Sequence, residues 1–200
     1  MEITADIVKK LRDQTGAGMM DCKKALAESN GDFTKAIDYL RKKGAATAEK
    51  RADRATKQGV VEAYIHAGGR IGTMVELNCE SDFVAKTEEF KNLAKDIAMQ
   101  IAAMNPQYIS RESVPKDVVE REIEIYKTQA RNEKKPEAFL QKIADGRLEK
   151  FYQEFCLIEQ SFIRDSNKTI KDLMLEMMGK TGEKISISRY QRYHLGESSL

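Results

Sequence analysis

The sequence predicts an α+β protein: an N-terminal three-helix bundle of the ubiquitin-associated type, then a three-stranded antiparallel sheet packed with helices and a helical hairpin. Three observations support this class. Short helical patterns occupy residues 1–43, two alternating segments joined by a glycine turn begin near residue 59, and long amphipathic patterns lead to a last alternating segment. Helices that are grouped around an antiparallel sheet in this way are typical of α+β architecture.

Composition and charge limit the function classes. The 200 residues are 41% hydrophobic and 33% charged, which suffices for a core beneath a heavily charged surface. The 34 basic and 32 acidic side chains leave a net charge of only +2. Because extensive DNA or RNA binding usually needs a marked basic excess, no direct nucleic-acid partner is expected.

Cysteine usage and the N-terminal pattern indicate the compartment. The three cysteines are far apart and odd in number, so free thiols in a reducing compartment are expected, with neither a disulfide framework nor a zinc site. The first residues mix acids and bases, unlike a secretory signal, and no apolar run is long enough to cross a bilayer. These features predict a cytoplasmic protein without a membrane partner.

The N-terminal module is predicted from three short amphipathic patterns in residues 1–43. The first helix ends at Gly16, the second runs from Met19 to Ser29, and the third follows Asp32 and ends before Gly44. Helices this short are unstable alone, so they must share one small core. The inward side chains of the first and third helices are predicted to be Ile3, Ile7, Val8, Leu11, Phe33, Ala36, Ile37 and Leu40.

A basic linker is predicted over residues 44–58. It contains the basic stretch KRADRATK, and the basic residues RKK directly precede it. Its alanine-rich, charged composition gives some helix propensity but little apolar surface. The segment is interpreted as a solvated tether or a helix extension. A patch that contacts phosphate groups is the alternative.

Residues 59–200 are predicted to form the α+β core and dimerisation domain. Alternating residues on either side of the turn at 67–70 predict a β-hairpin. Thr87 is the predicted N-cap of a long helix that ends at Asn105-Pro106.

The remainder of this domain contains two further helical features and the last strand. Two amphipathic helices separated by a break at residues 133–136 predict an antiparallel helical hairpin over about residues 114–155. A shorter helix is predicted from Thr169 to about Met178, and alternation over residues 184–195 predicts a third strand beside the β-hairpin. A sheet with helices on one face leaves its other face exposed to solvent. A second copy of the chain would bury that face, so a homodimer is expected.

The corner NCESDFVAK, residues 78–86, places an acid and a large aromatic side chain where a strand meets a helix. One interpretation takes Asp82 as an N-cap and packs Phe83 back onto the sheet. The other leaves Phe83 exposed for a partner. A related question concerns Met19 and Met20, which cannot both point inward because neighbours on a helix differ by about 100°. Core packing and partner contact both remain open for them.

Motifs that would indicate an enzyme are weak. MMGKTG at residues 177–182 lacks the first glycine and the strand–loop–helix order of a P-loop, and TGAGMMD at residues 15–21 lacks the third glycine of a dinucleotide fingerprint. His66 and His194 are interpreted as surface or interface residues, and a reactive pair of His66 with Cys79 has no further support. No enzymatic activity, cofactor or metal is therefore expected.

Two longer motifs carry a family resemblance. LRDQTGAGMMDCKKAL at residues 11–26 and ELNCESDFVAK at residues 76–86 resemble the two signatures of the elongation factor Ts family, and the similarity extends over nearly the whole chain. Ser81 departs from the threonine usual in that family but retains the hydroxyl needed for helix capping. The chain resembles the short form, with one core unit, which in that family forms a dimer.

The resemblance implies a guanine-nucleotide exchange factor that acts on GDP-bound elongation factor Tu during translation elongation. It implies that Ser81, Asp82, Phe83 and Val84 wedge into the partner's nucleotide domain, displace Mg²⁺ and promote GDP release. It further implies that the N-terminal module docks on the partner through Arg12, Met19 and Met20, and that His66 contacts it from the core. An RNA-binding accessory of translation that uses the basic linker is the alternative function.

Overall fold

The computed structural model describes residues 3–197, and two compact units can be distinguished within them. The first comprises the residues up to Tyr64, Met74–Ala98 and Asp172–Gln191; the second comprises Ile65–Thr73, Met99–Lys171 and the residues from Arg192 onward. The elements, in chain order, are α1 (Ala5–Thr15), α2 (Met19–Glu28), α3 (Phe33–Lys50), β1 (Gln58–Ile65), β2 (Ile71–Cys79), α4 (Asp82–Ala85), α5 (Glu88–Met104), α6 (Lys116–Asn132), α7 (Leu140–Phe155), β3 (Ser161–Phe162), β4 (Asp165–Thr169), α8 (Ile170–Thr181) and β5 (Ser186–His194). The predicted fold class is confirmed by this order.

The three N-terminal helices share a small core, as their periodicity predicts. Its buried residues are Val8, Leu11, Cys22, Ala25, Leu26 and Ala36. Helix α1 ends at Gly16, whose φ of 68° lies in the left-handed region. Asp32 accepts a hydrogen bond from the Lys35 N–H at 3.0 Å, and so it caps α3 as predicted.

Helix α3 is longer than predicted. It continues through Gly44 to Lys50, so the end expected before Gly44 is wrong, and the alternative of a helix extension is correct for residues 44–50. The alanines that follow this glycine are strong helix formers, and a single glycine costs only about 1 kcal/mol in a helix. A β-carbon on Gly44 would lie 3.9 Å from the Leu175 carbonyl oxygen, so the helix passes close to the backbone of α8.

The segment after α3 is held to the first unit and is not a free tether. The Lys184 ammonium group donates to the carbonyl oxygens of Ala52 and Arg54. The Arg54 guanidinium contacts the Glu80 carboxylate at 3.2 Å. Part of the positive charge predicted for the linker is therefore engaged within the molecule.

The strands β1, β2 and β5 form the predicted three-stranded sheet, and β2 is its central strand. In β2 the inward residues Thr73, Val75 and Leu77 are buried, whereas Met74 is exposed. The turn is closed by the His66 N–H, which donates to the Ile71 carbonyl at 2.9 Å. This antiparallel register places Val61 of β1 on the same face as Met74.

The burial pattern of β5 changes phase within the strand, which its strict alternation in sequence does not predict. Ile187 is buried, Ser188 and Arg189 are both exposed, and every second residue from Tyr190 to His194 is then partly buried. A phase change of this kind is what an extra residue in a strand produces. As a result Tyr193 and Leu195 are exposed, where continued alternation would put them inward with Ile187.

Helices α6 and α7 form the predicted helical hairpin in the second unit. Their apolar stripes meet along the pair, with Ala130, Leu140 and Ala144 buried between them. At the open end, Phe151 and Phe155 stack with ring centroids 4.8 Å apart. The short strands β3 and β4 pair antiparallel after this hairpin and were not predicted.

Candidate functional site

The strand-to-helix corner at residues 79–86 is built around a serine. Strand β2 ends at Cys79, and the short helix α4 begins at Asp82, with Ser81 in extended conformation as its N-cap. The Ser81 hydroxyl accepts a hydrogen bond from the Val84 N–H at 3.4 Å. The N-cap is therefore Ser81, and the interpretation of Asp82 as the cap is wrong. A serine in place of threonine keeps the capping hydroxyl, as expected from the sequence.

Phe83 projects from this corner into solvent. Its side chain is 81% exposed, whereas the next residues, Val84 and Ala85, are buried. The interpretation that packs Phe83 back onto the sheet is therefore wrong. A four-residue helix gives Phe83 little support of its own, so the buried pair and the serine cap must hold it in place.

The carboxylate of Glu183 closes the corner from the segment between α8 and β5. One oxygen accepts the Glu80 N–H at 3.1 Å and the Ser81 N–H at 3.0 Å, and the other accepts the Ser81 hydroxyl. The Glu80 carboxylate in turn accepts the Lys184 N–H at 2.7 Å. The two strand ends are thus joined by a reciprocal pair of side-chain-to-backbone contacts.

Neither glutamate was identified from the sequence as part of this site. Glu183 lies about a hundred residues from Ser81, and a glutamate after a glycine at the start of a strand matches no short motif. The pairing of β5 beside β2 brings them together. A sequence reading could have found the pair only by placing the two strands in register.

Acidic side chains around the corner are stabilised as carboxylates. The Lys184 N–H, with help from the Arg54 guanidinium, lowers the pKa of Glu80. The Lys86 ammonium, at 2.6 Å, lowers the pKa of Asp82. Asp82 therefore carries a full negative charge at neutral pH beside the exposed ring of Phe83.

Cys79 is buried behind the corner and is a poor nucleophile. Its thiol donates to the Ser81 carbonyl at 3.1 Å. Burial first, and the Glu183 carboxylate second, raise the pKa of Cys79 to about 11. Because the thiolate is the reactive form, these surroundings oppose the thiol chemistry considered from the sequence. His66 lies at the hairpin turn and Cys79 at the far end of β2, so the strand itself separates them.

The N-terminal residues assigned to partner binding lie on the surface of their own module. Arg12 of α1 is exposed, and at the start of α2 Met19 is 45% and Met20 74% exposed. Neither methionine belongs to the core of the three helices. Of the two interpretations left open by the sequence, exposure favours contact with a partner.

Two other features are absent from residues 3–197, a metal-binding cluster and a membrane-spanning helix. These residues contain no group of three or more histidine, cysteine, aspartate or glutamate side chains arranged to hold a metal ion. Among the described helices, none combines the length and the hydropathy that a membrane span requires.

Comparison with known proteins gives a consistent result over the full length. A family profile described as Elongation factor TS matches residues 1–197. Elongation factor Ts of Caldanaerobacter subterraneus subsp. tengcongensis is 60% identical over 195 residues, 98% of each chain. Elongation factor Ts of Thermotoga neapolitana is 56% identical over 197 residues, which cover 98% of this chain and 99% of the relative.

A third relative gives the same result. Elongation factor Ts of Syntrophus aciditrophicus is 58% identical over 197 residues, which are 98% of each chain. Identity at this level over nearly complete chains establishes family membership, and the exposed corner and N-terminal module lie inside the matched range. The chain belongs to the elongation factor Ts family of translation elongation factors.

Proposed function

We propose that this protein is a guanine-nucleotide exchange factor that binds GDP-bound elongation factor Tu and accelerates the release of GDP. Membership of the elongation factor Ts family supports the role and the partner. The exposure of Phe83 is the observation that carries the mechanism. A large aromatic ring that is excluded from its own core, on a helix with a buried anchor, is suited to insertion into another protein.

The proposed mechanism is a wedge. Phe83 inserts between elements of the partner's nucleotide domain, with Asp82 beside it and Ser81 and Val84 supporting the turn. Displacement of the groups that hold Mg²⁺ leaves the phosphate charge of GDP poorly compensated, so that GDP dissociates faster. The protein contributes no covalent chemistry to this step.

The available binding energy is sufficient for such a distortion. Burial of a phenylalanine removes about 150–250 Å² from water. At about 25 cal/mol per Å², this supplies at most about 4–6 kcal/mol, part of which offsets strain in the partner. By linkage, nucleotide that binds to the partner weakens its hold on this protein by the same coupling energy.

Three further assignments complete the proposal. The N-terminal module, residues 1–43, docks on the partner through Arg12, Met19 and Met20. His66, exposed at the hairpin turn, provides a contact from the core domain, residues 59–200, and residues 44–58 join the two. The activity is placed in the cytoplasm, in keeping with three buried cysteines that are free thiols.

We infer in addition that two copies associate through the outward face of the sheet. We define this face by its exposed apolar side chains, which are Val61, Ile65, Met74, Tyr193 and Leu195. Single exposed apolar residues are common, but exposed apolar side chains along each strand of a three-stranded sheet are a typical feature of an interface. A second copy presents the same face, which suits a two-fold contact.

Stopped-flow measurement of fluorescent GDP release from elongation factor Tu tests the wedge. Phe83→Ala is expected to lower the release rate at saturating factor by about tenfold or more, since each tenfold corresponds to about 1.4 kcal/mol. Phe139→Ala is the matched control, because Phe139 is also an exposed phenylalanine but lies beside the helical hairpin. An unchanged rate for Phe83→Ala would remove the wedge from the mechanism.

A further inference from the structure

Glu183 makes the contacts that determine the conformation of the Phe83 corner. Its carboxylate accepts three hydrogen bonds from the strand end: two from the backbone N–H groups of Glu80 and Ser81, at 3.1 and 3.0 Å, and one from the Ser81 hydroxyl. Each of these donors lies within three residues of Phe83. We propose that Glu183 is a positioning residue for nucleotide exchange, which fixes the direction in which Phe83 projects; this inference rests on the exchange function proposed above.

The Ser81 hydroxyl transmits the effect of Glu183 to helix α4. The hydroxyl has one proton, and it donates that proton to Glu183 while it accepts the Val84 N–H at 3.4 Å. With its proton committed to the carboxylate, the hydroxyl keeps a lone pair directed at the helix. Without Glu183 the hydroxyl is free to rotate, and two backbone N–H groups at the corner lose their acceptor.

Phe83 depends on this backbone because its own side chain is not packed. With 81% of the side chain exposed, few contacts restrict its direction. Helix α4 has only four residues, so it has no stability of its own. The orientation of the ring is therefore set by residues 81–84 and by the groups that hold them.

Glu183 is itself held in place by its own segment. Thr181 closes α8 by donating to the Met177 carbonyl at 2.9 Å, and its hydroxyl also accepts the Glu183 N–H at 3.3 Å. Between them Gly182 adopts a φ of 72°, a conformation that a glycine adopts without strain. The Glu80 carboxylate then anchors the Lys184 N–H at 2.7 Å. The carboxylate of Glu183 is thus a fixed acceptor and not a mobile surface group.

The first test measures GDP release in variants that keep the Phe83 ring but lose the contacts that orient it. With elongation factor Tu loaded with fluorescent GDP, Glu183→Ala is expected to lower the maximal release rate by about ten- to hundredfold, as small misplacements of reacting groups do. The factor concentration at half-maximal rate should change much less. Glu183→Gln should recover part of the rate, since its amide oxygen accepts the two backbone N–H groups.

A control variant with a similar loss of stability tests whether the rate falls only because the protein is destabilised. Ile97→Val, in the buried part of α5, lowers stability by about 0.5–1.5 kcal/mol without touching the corner. It should keep the wild-type maximal rate. If Ile97→Val and Glu183→Gln lose rate in proportion to their loss of stability, Glu183 is only a structural residue and the inference is wrong.

A spectroscopic test needs neither the partner nor the exchange reaction. The chain has no tryptophan, so Phe83→Trp provides a single fluorescent probe at the corner. The fluorescence anisotropy of this tryptophan should fall when Glu183→Ala or Glu183→Gln is added, because the helix that carries it becomes more mobile. Unchanged anisotropy in the alanine variant, which removes the acceptor altogether, would overturn the inference.

The outcomes distinguish the two proposals. A wild-type rate for Phe83→Ala contradicts the wedge itself. A slow Phe83→Ala together with a wild-type rate for Glu183→Ala leaves the wedge standing and refutes the positioning role. In the background of Ser81→Ala, Glu183→Ala should lower the rate less than it does alone, because part of its effect passes through the Ser81 hydroxyl and the rest through the two backbone N–H groups.

Discussion

The side chain of Lys180 lies across the α-carbon of Gly16. A β-carbon at position 16 would lie 2.7 Å from Lys180 Cδ and 2.8 Å from Cγ, closer than van der Waals contact allows. Both residues belong to glycine-containing motifs that were considered and rejected as nucleotide sites, TGAGMMD and MMGKTG. The contact gives these motifs a structural role: the lysine stem covers the turn between α1 and α2.

Gly16→Ala is expected to destabilise the protein for two reasons. Its φ of 68° is a left-handed conformation, which costs an L-residue about 1–2 kcal/mol, and the new methyl group would displace the Lys180 stem. Thermal or urea unfolding measures the loss. In a Lys180→Ala background the cost of Gly16→Ala should fall to the backbone contribution alone.

Gly18→Ala is the matched control for this change. Gly18 lies in the same turn, but its φ is −59° and a β-carbon there would meet nothing within 4 Å. We expect a loss of about 0.5–1 kcal/mol from its substitution, because glycine is preferred to alanine at a helix N-cap, with no displaced side chain to add to it. Equal losses for Gly16→Ala and Gly18→Ala would contradict the assignment.

The helices and the sheet were predictable because each has a regular period and clear end signals. Gly16 ends α1 and Thr87 caps α5, with its hydroxyl accepting the Phe90 N–H at 3.3 Å. The end of α3 was predicted seven residues too early because Gly44 resembles a stop signal. Packing of α3 beside α8 tolerates a glycine, and the sequence alone does not contain this tertiary contact.

The site was predictable only in part, for a similar reason. The Asp82-Phe83 pair is contiguous and was identified, but chemistry alone left its exposure open. Glu183 joins the site through strand pairing between distant parts of the chain, which no local pattern contains. The change of burial phase at Ser188–Arg189 in β5 also depends on how the strands pair. Because of this change, Tyr193 is exposed.

Alkaline pH should destabilise the native state through its buried thiols. The pKa of Cys79 and of Cys156 is raised to about 11, with burial as the main cause, whereas a thiol in an unfolded chain titrates at about 8.5. A folded-state pKa above the unfolded one contributes stability that is fully present below the unfolded pKa and is lost as pH rises. The free energy of unfolding should therefore fall from about pH 8.5 upward, towards about pH 11.

Urea titrations at increasing pH measure this loss. Cys79→Ala should lower the stability at pH 7 but reduce its dependence on pH. Val75→Ala, a buried residue of the same strand that does not titrate, should lower the stability and leave the pH dependence unchanged. Rapid alkylation of Cys79 in the folded protein at pH 7.5, at the rate seen in denaturant, would contradict its buried, neutral state.

The Met20 side chain is expected to contribute to the binding of elongation factor Tu but not to the stability of the protein. Its side chain is 74% exposed at the start of α2, so Met20→Gln should leave the melting temperature nearly unchanged. If the N-terminal module docks on elongation factor Tu, the same change should raise the factor concentration needed for half-maximal GDP release. Met104→Gln, an exposed methionine at the end of α5, is the control and should change neither quantity.

Ile65 tests the association of two copies through the outward face of the sheet. Ile65→Lys places a charge at an exposed apolar position of β1, where a second copy would have to desolvate it. Sedimentation equilibrium at micromolar concentration should show a dimer for the wild type and at least about a tenfold weaker association for the variant. Ile125→Lys, at an exposed apolar position on the helical hairpin, should leave the dimer intact. A wild-type monomer, or equal weakening by both substitutions, would mean that the sheet face does not pair with itself.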